Sequence, residues 1–92
     1  MTEHHRYRRL YTAWQRIQAQ CNDRNSPNFK HYGAKGIIVC EEWDDYHAFR
    51  DWAINQGYDP EAPKGACTVQ RLDPDDDFCP DNCYIKWKNP HQ

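Results

Sequence analysis

Apolar residues recur every three or four positions through the first part of the chain. One stripe has spacings of 3, 4, 3 and 4, and its members are Tyr7, Leu10, Trp14, Ile17 and Cys21. This spacing is typical of one face of an amphipathic helix. Thr2 is the predicted N-cap, and the turn-forming run 22–28 predicts an end near Cys21. We therefore predict an N-terminal amphipathic helix.

A second helix is predicted over residues 44–56. Its buried side is expected to consist of aromatic and small residues, namely Trp43, Tyr46, Phe49, Trp52 and Ala53. Gly57 is the expected C-terminal stop. Before this helix, Gly33 and Gly36 suggest a tight turn with positive φ, and the β-branched run 37–40 predicts a short buried strand.

The last third of the chain has the pattern of a β-hairpin. Residues 68–72 alternate in polarity, residues 73–77 form an acidic turn, and residues 84–88 predict a second strand. The order of elements predicts an α+β fold with a small antiparallel sheet and a C-terminal hairpin. With 92 residues, the chain suits a single domain, residues 1–92.

Charge is distributed unevenly along the chain, although the net charge is only −2. Residues 1–36 hold seven basic and two acidic residues, whereas residues 37–92 hold five basic and twelve acidic ones. Such a split predicts a positive surface suited to phosphates and a negative surface suited to a basic protein. Two ordinary solvated faces are the alternative.

The chain has no apolar run of membrane-spanning length and no signal-peptide pattern, so we expect a cytoplasmic protein.

Three segments together resemble a known family. They are residues 32–43 (YGAKGIIVCEEW), the helix end at 49–57, and residues 71–83 (RLDPDDDFCPDNC). Their order and spacing resemble small phage and prophage proteins of the HNH-like, or His-Me finger, type. The resemblance implies a fold built around a hairpin and a helix that together hold a divalent metal. It also implies a base, usually His, that activates water.

The sequence departs from that family at two places. Gln70 stands where the family has Asp or His before Arg71, and an amide is a poor base and a poor metal ligand. The chain also ends at Gln92, soon after Trp87, so we expect the metal-bearing helix to be missing. The prediction is a truncated, non-catalytic HNH-like scaffold. An active endonuclease remains the alternative, and its candidate residues are Asp73, Asp75, Asn82 and His91.

Metal sites of other kinds are only weakly indicated. Asp73, Asp75 and Asp77 match the first ligands of an EF-hand, but Phe78 and Tyr84 replace its required Gly and Glu.

The five cysteines are expected to be reduced in a cytoplasmic protein. A zinc site would use Cys79 and Cys83 with Cys40, or with Cys21 in its place, but a strong signal has two close pairs and this chain has one. We therefore predict no cofactor.

Basic residues supply the candidate binding site. Arg6, Arg9 and Arg16 fall on one side of the first helix. Lys30, Tyr32 and Lys35 fall in the following loop, where lysines bind phosphate and an exposed tyrosine stacks on a base. In the alternative interpretation these arginines only solvate the helix and Tyr32 belongs to the core. The residues predicted to contact a basic protein, or to mimic phosphates, are Asp73, Asp75, Asp76 and Asp77.

The predicted function combines these surfaces with the phage setting of the resemblance. We expect a counter-defence inhibitor of the anti-CRISPR type, bound to guide RNA and Cas subunits of a type I surveillance complex and blocking target DNA. Neither a membrane nor a small-molecule substrate is expected. The alternatives are the metal-dependent endonuclease and a DNA-binding accessory protein whose affinity for duplex DNA falls steeply with salt.

Overall fold

The computed structural model describes residues 6–63 and 65–88. In these ranges the chain forms two α-helices and one two-stranded antiparallel sheet. The elements are α1, Arg8–Asn22; α2, Tyr46–Asn55; β1, Cys67–Arg71; and β2, Cys83–Trp87. The predicted α+β class is confirmed. The proposed cap Thr2 and the candidate His91 lie outside the described residues. No helix in the described ranges has the length and apolar character needed to cross a membrane.

The predicted apolar stripe of α1 faces the core. Leu10, Ile17 and Cys21 are buried, and Trp14 packs against them half-buried. The indole Nε1 of Trp14 donates a hydrogen bond of 2.8 Å to the carbonyl oxygen of Trp43. This bond fixes α1 against the segment that leads into α2.

Helix α2 begins at its cap and ends at a glycine. The carboxylate of Asp45 accepts a hydrogen bond of 2.9 Å from the backbone N–H of His47, which satisfies one of the free amides of the first turn. Gly57 follows the helix with φ of 96°, a conformation that favours glycine. Phe49 is fully buried and meets Trp43 edge-on, with ring centroids 5.0 Å apart. The predicted helix and its buried side are thus confirmed, except that Glu41–Asp44 forms a separate 3₁₀ turn.

The segment 37–40 is extended, but it is not the buried strand that its composition predicts. Val39 forms a single parallel bridge with Phe78. Ile37 and Val39 are buried, whereas Ile38 is 54% exposed. The pairing stops because the partner segment turns at once into the 3₁₀ turn Pro80–Asn82, and a proline has no N–H with which to extend a ladder.

The hairpin prediction is confirmed, with each strand displaced by one residue. Val69 lies opposite Ile85, and Arg71 lies opposite Cys83. Ile85 and Cys83 are buried, so this face of the sheet contributes to the core together with the helices. The intervening residues 72–82 form a compact acidic loop.

The two glycines of the 33–36 turn serve different purposes. Gly36 has φ of 87°, as predicted. Gly33 lies in a 3₁₀ turn without positive φ. A Cβ atom at Gly33 would lie 2.5 Å from the carbonyl oxygen of Cys21. Gly33 is therefore required because the backbones approach each other closely, a reason that the sequence does not reveal.

Candidate nucleic-acid interface

An arginine-lined cleft lies between α1 and the chain segment that leads into β1. Its volume is about 610 Å³. The helix side carries four arginines: Arg6, Arg8, Arg9 and Arg16. The opposite wall includes Tyr58, Pro60 and Val69. Three of the six basic or aromatic residues predicted to bind nucleic acid are thus brought together, and the structure adds Arg8 to them.

Two of the four arginines contact the loop that follows α2. Arg9 Nη1 donates a hydrogen bond of 2.8 Å to the carbonyl oxygen of Ala62, which is itself buried. Arg6 Nε lies 3.5 Å from the Glu61 carboxylate, and both side chains are largely exposed. The ion pair is weak in solvent, whereas the Arg9 bond fixes the loop from 59 to 62 against α1. The cleft therefore has a defined second wall.

The other two arginines have no such role. Arg8 and Arg16 are exposed, and neither forms a hydrogen bond or ion pair with the residues of 6–63 and 65–88. A guanidinium group is a planar fork of five N–H donors, which suits the oxygens of a phosphate. Two such groups in one cleft offer positive charge and N–H donors that no acidic side chain of residues 6–63 and 65–88 pairs with.

The lining of the cleft also includes apolar and aromatic residues. Leu10 is 1% exposed and closes the cleft from the core side. Tyr58 lines it from the opposite wall. Burial, followed by the nearby thiol of Cys67, raises the pKa of the Tyr58 hydroxyl. The hydroxyl therefore stays protonated at neutral pH and is a hydrogen-bond donor.

The remaining three predicted binding residues lie outside this cleft. Lys30 and Lys35 are exposed in the 3₁₀ turns that follow α1. Tyr32 is half-buried and packs against the core. Its ring lies 5.9 Å from that of Phe78, and the Arg71 guanidinium stacks 5.1 Å from its centroid. The structure thus places Tyr32 among core contacts, as the alternative interpretation of this residue describes.

The acidic loop is organised by one buried amide. Asn82 is 8% exposed. Its Oδ1 accepts a hydrogen bond of 3.0 Å from the backbone N–H of Asp73, and its Nδ2 donates to the carbonyl oxygens of Asp73 and Asp77 at 3.0 and 2.9 Å. All the bonding capacity of the Nδ2 group is used within the loop. Asn82, a candidate in the endonuclease alternative, is therefore a structural residue here.

The aspartates of this loop also bond to the backbone. The Asp73 carboxylate accepts a hydrogen bond of 2.9 Å from the N–H of Asp75, and the Asp77 carboxylate accepts one of 3.0 Å from the N–H of Ile38. The loop begins after Arg71, whereas the cleft is lined by residues at the start of β1. A five-residue strand spans roughly 13 Å. The acidic loop and the arginine cleft thus lie at opposite ends of the hairpin.

The five cysteines are free; Cys21 and Cys83 are buried and the other three are half-buried. Burial raises the pKa of the Cys83 thiol to about 11, and the nearby Cys79 and Cys40 thiols contribute in the same direction. Burial likewise raises the pKa of the Cys40 thiol. In residues 6–63 and 65–88, no three His, Cys, Asp or Glu side chains are arranged to hold a metal ion.

Gln70, which the HNH-like resemblance places at the position of a base, is exposed on β1. Its amide donates a hydrogen bond of 3.2 Å to Thr68 Oγ1. The side chain of Gln70 therefore has a local partner on its own strand. Among the described histidines, His47 is the nearest to Gln70 in sequence. It lies at the start of α2, with Nδ1 3.4 Å from the Asp45 carboxylate.

Comparison with known proteins gives no match to a family model, a curated protein or a solved structure.

Proposed function

We propose that the protein is a non-catalytic inhibitor that binds a CRISPR–Cas surveillance ribonucleoprotein and blocks its access to target DNA. The observation that carries the proposal is the pair of exposed guanidinium groups, Arg8 and Arg16, in a cleft whose wall is fixed by Arg9. Phosphates of the guide RNA are the ligands for this pair. Charge-assisted bonds from arginine to phosphate are among the strongest hydrogen bonds in proteins.

The separation of charge supports a partner that contains both nucleic acid and protein. The cleft offers positive charge at one end of the hairpin, and the acidic loop 73–77 offers negative charge at the other. Asp75 and Asp76 are exposed there. A ribonucleoprotein presents phosphates beside basic protein surfaces, so it complements both ends at once. In a phage setting, such a complex would be met in the cytoplasm of the host.

The proposed inhibitor is non-catalytic because of the residues found at the positions that the HNH-like resemblance assigns to catalysis. Gln70 stands in place of the base. Asn82 has its side chain committed to the backbone of the acidic loop. An amide is a poor base and a poor metal ligand, and the Asn82 amide is already bonded within the loop.

The test measures target-DNA binding by a purified type I surveillance complex that carries its guide RNA. Labelled target duplex is titrated with the complex, with and without the protein, in a mobility-shift assay. We expect the wild-type protein to abolish the shift. The double variant Arg8→Gln/Arg16→Gln should need more than about tenfold higher concentration, because two charged hydrogen-bonding groups are lost. The matched control is Arg24→Gln, an exposed arginine outside the cleft.

Each other outcome points to a different function. An unchanged shift in the presence of excess protein would overturn the inhibitor proposal. If the protein then binds duplex DNA alone with a steep salt dependence, the accessory DNA-binding function replaces it. Nicking of plasmid DNA in Mg²⁺ or Mn²⁺ would instead establish the endonuclease.

A further inference from the structure

The arginine cleft combines a positively charged surface with an apolar and aromatic one. Arg8 and Arg16 provide positive charge. Leu10, Tyr58 and Val69 provide an apolar and aromatic lining. A ligand that uses both kinds of surface needs an anionic group and a flat ring in the same monomer unit. A nucleotide has this combination, whereas an acidic peptide has carboxylates but no ring beside each charge.

The size of the cleft is also suited to one nucleotide. Its volume of about 610 Å³ falls inside the range of roughly 300–1,000 Å³ that is typical of small-ligand sites. A base inside a duplex is stacked and paired, so only its edges are accessible in the grooves. A base of a single strand is free to turn out of the stack and to lie on protein side chains.

We propose that the cleft holds one unstacked nucleotide of a single-stranded nucleic acid. The base lies against Tyr58 and the aliphatic lining, and the flanking phosphates bind Arg8 and Arg16. This inference rests on the proposed function and deepens it, because it names the form of nucleic acid that the cleft selects. It also accounts for an inhibitor that binds an exposed guide RNA and has little affinity for naked duplex DNA.

The position of Ala13 allows the lining to be blocked without any change in charge. Ala13 lies in α1, half-buried, and lines the cleft. Ala13→Leu adds apolar volume where the base is expected and keeps all four arginines. Gln15→Leu introduces the same side chain into the same helix at an exposed position outside the cleft. The two variants therefore separate filling of the cleft from a general effect of leucine in α1.

The experiment compares the affinities of the protein for three fluorescein-labelled probes by anisotropy at low salt. The probes are a twelve-nucleotide oligouridylate, its deoxythymidine counterpart and a hairpin duplex with the same number of phosphates. We expect both single strands to bind about tenfold more tightly than the duplex, as stacking of one base implies. Ala13→Leu should remove that preference and leave duplex affinity unchanged, whereas Gln15→Leu should retain it. Circular dichroism melts check that both variants fold.

A second readout reports on the base itself. A single 2-aminopurine in the strand should change in fluorescence intensity when the wild-type protein binds, because the base exchanges its neighbours in the strand for the lining of the cleft, and should keep its free-strand intensity with Ala13→Leu. Equal affinity for single strands and duplex, or a preference that Ala13→Leu leaves intact, would overturn the inference. A protein that blocks the surveillance complex but binds no free strand would overturn the inference and leave the proposed function standing. Tighter binding of oligouridylate than of its deoxy counterpart would identify RNA as the source of the nucleotide.

Discussion

Replacing Asn82 by alanine removes the side chain that holds the acidic loop together. Three hydrogen bonds are lost, one accepted from the N–H of Asp73 and two donated to the carbonyls of Asp73 and Asp77. Each such bond contributes about 0.5–1.5 kcal/mol net. The partner residues lie near solvent, so water replaces part of the loss. We expect the free energy of unfolding to fall by about 2–3 kcal/mol, which for a chain of this size lowers the Tm by roughly 10–20 °C.

Urea denaturation followed by circular dichroism measures this loss, and the slope of the transition should not change. Asn22→Ala is the matched control. Asn22 is exposed and its amide donates a single hydrogen bond to Gln18, so its removal should cost less than about 0.5 kcal/mol. A loss below about 1 kcal/mol for Asn82→Ala would refute the reasoning, because the loop would then be held without its central amide.

Three further predictions follow from the core. Gly33→Ala should lower the free energy of unfolding by about 2 kcal/mol, because the new methyl group meets the carbonyl of Cys21 at 2.5 Å; an unchanged urea midpoint would contradict this. Burial raises the pKa of the Cys21 thiol to about 11. The unfolded thiol loses its proton near pH 9 and the folded one does not, so Cys21 should make stability fall between pH 9 and 11, by up to about 1.4 kcal/mol per pH unit; since the buried Cys83 thiol contributes in the same way, Cys21→Ala should reduce the slope without abolishing it. Arg71→Lys should cost about 1–2 kcal/mol, because it loses the planar stack on Tyr32 and Phe78, 5.1 and 4.6 Å away; the control Arg24→Lys should be neutral.

Both helices were predictable because their signals are local. The stripe through Leu10, Ile17 and Cys21 repeats with the helical period, and burial follows from that period alone. Gly57 ends α2 through its own backbone conformation. The segment 37–40 was harder to predict. Its composition favours a strand, but whether an extended segment joins a sheet depends on a partner, and the partner here offers only Phe78 before Pro80.

The sequence predicted residues on only one wall of the candidate site, the wall formed by α1. The charge pattern identified Arg6, Arg9 and Arg16, because they share a helical face. It missed Arg8 and Tyr58, since the second wall of the cleft comes from a segment more than forty positions along the chain. Periodicity carries no information on which distant segment packs against a helix.

The sequence by itself determined the positions of the helices and the hairpin, the acidic turn and the concentration of basic residues near the N-terminus, because each depends on neighbours within a few positions. The tertiary structure alone decided how individual side chains are used. It paired Arg9 with the carbonyl of Ala62, gave Arg16 no hydrogen bond or ion pair within residues 6–63 and 65–88, and placed Tyr32 against Arg71. Residues of one type receive different roles because hydrogen bonding and burial depend on contacts between segments that are distant in sequence.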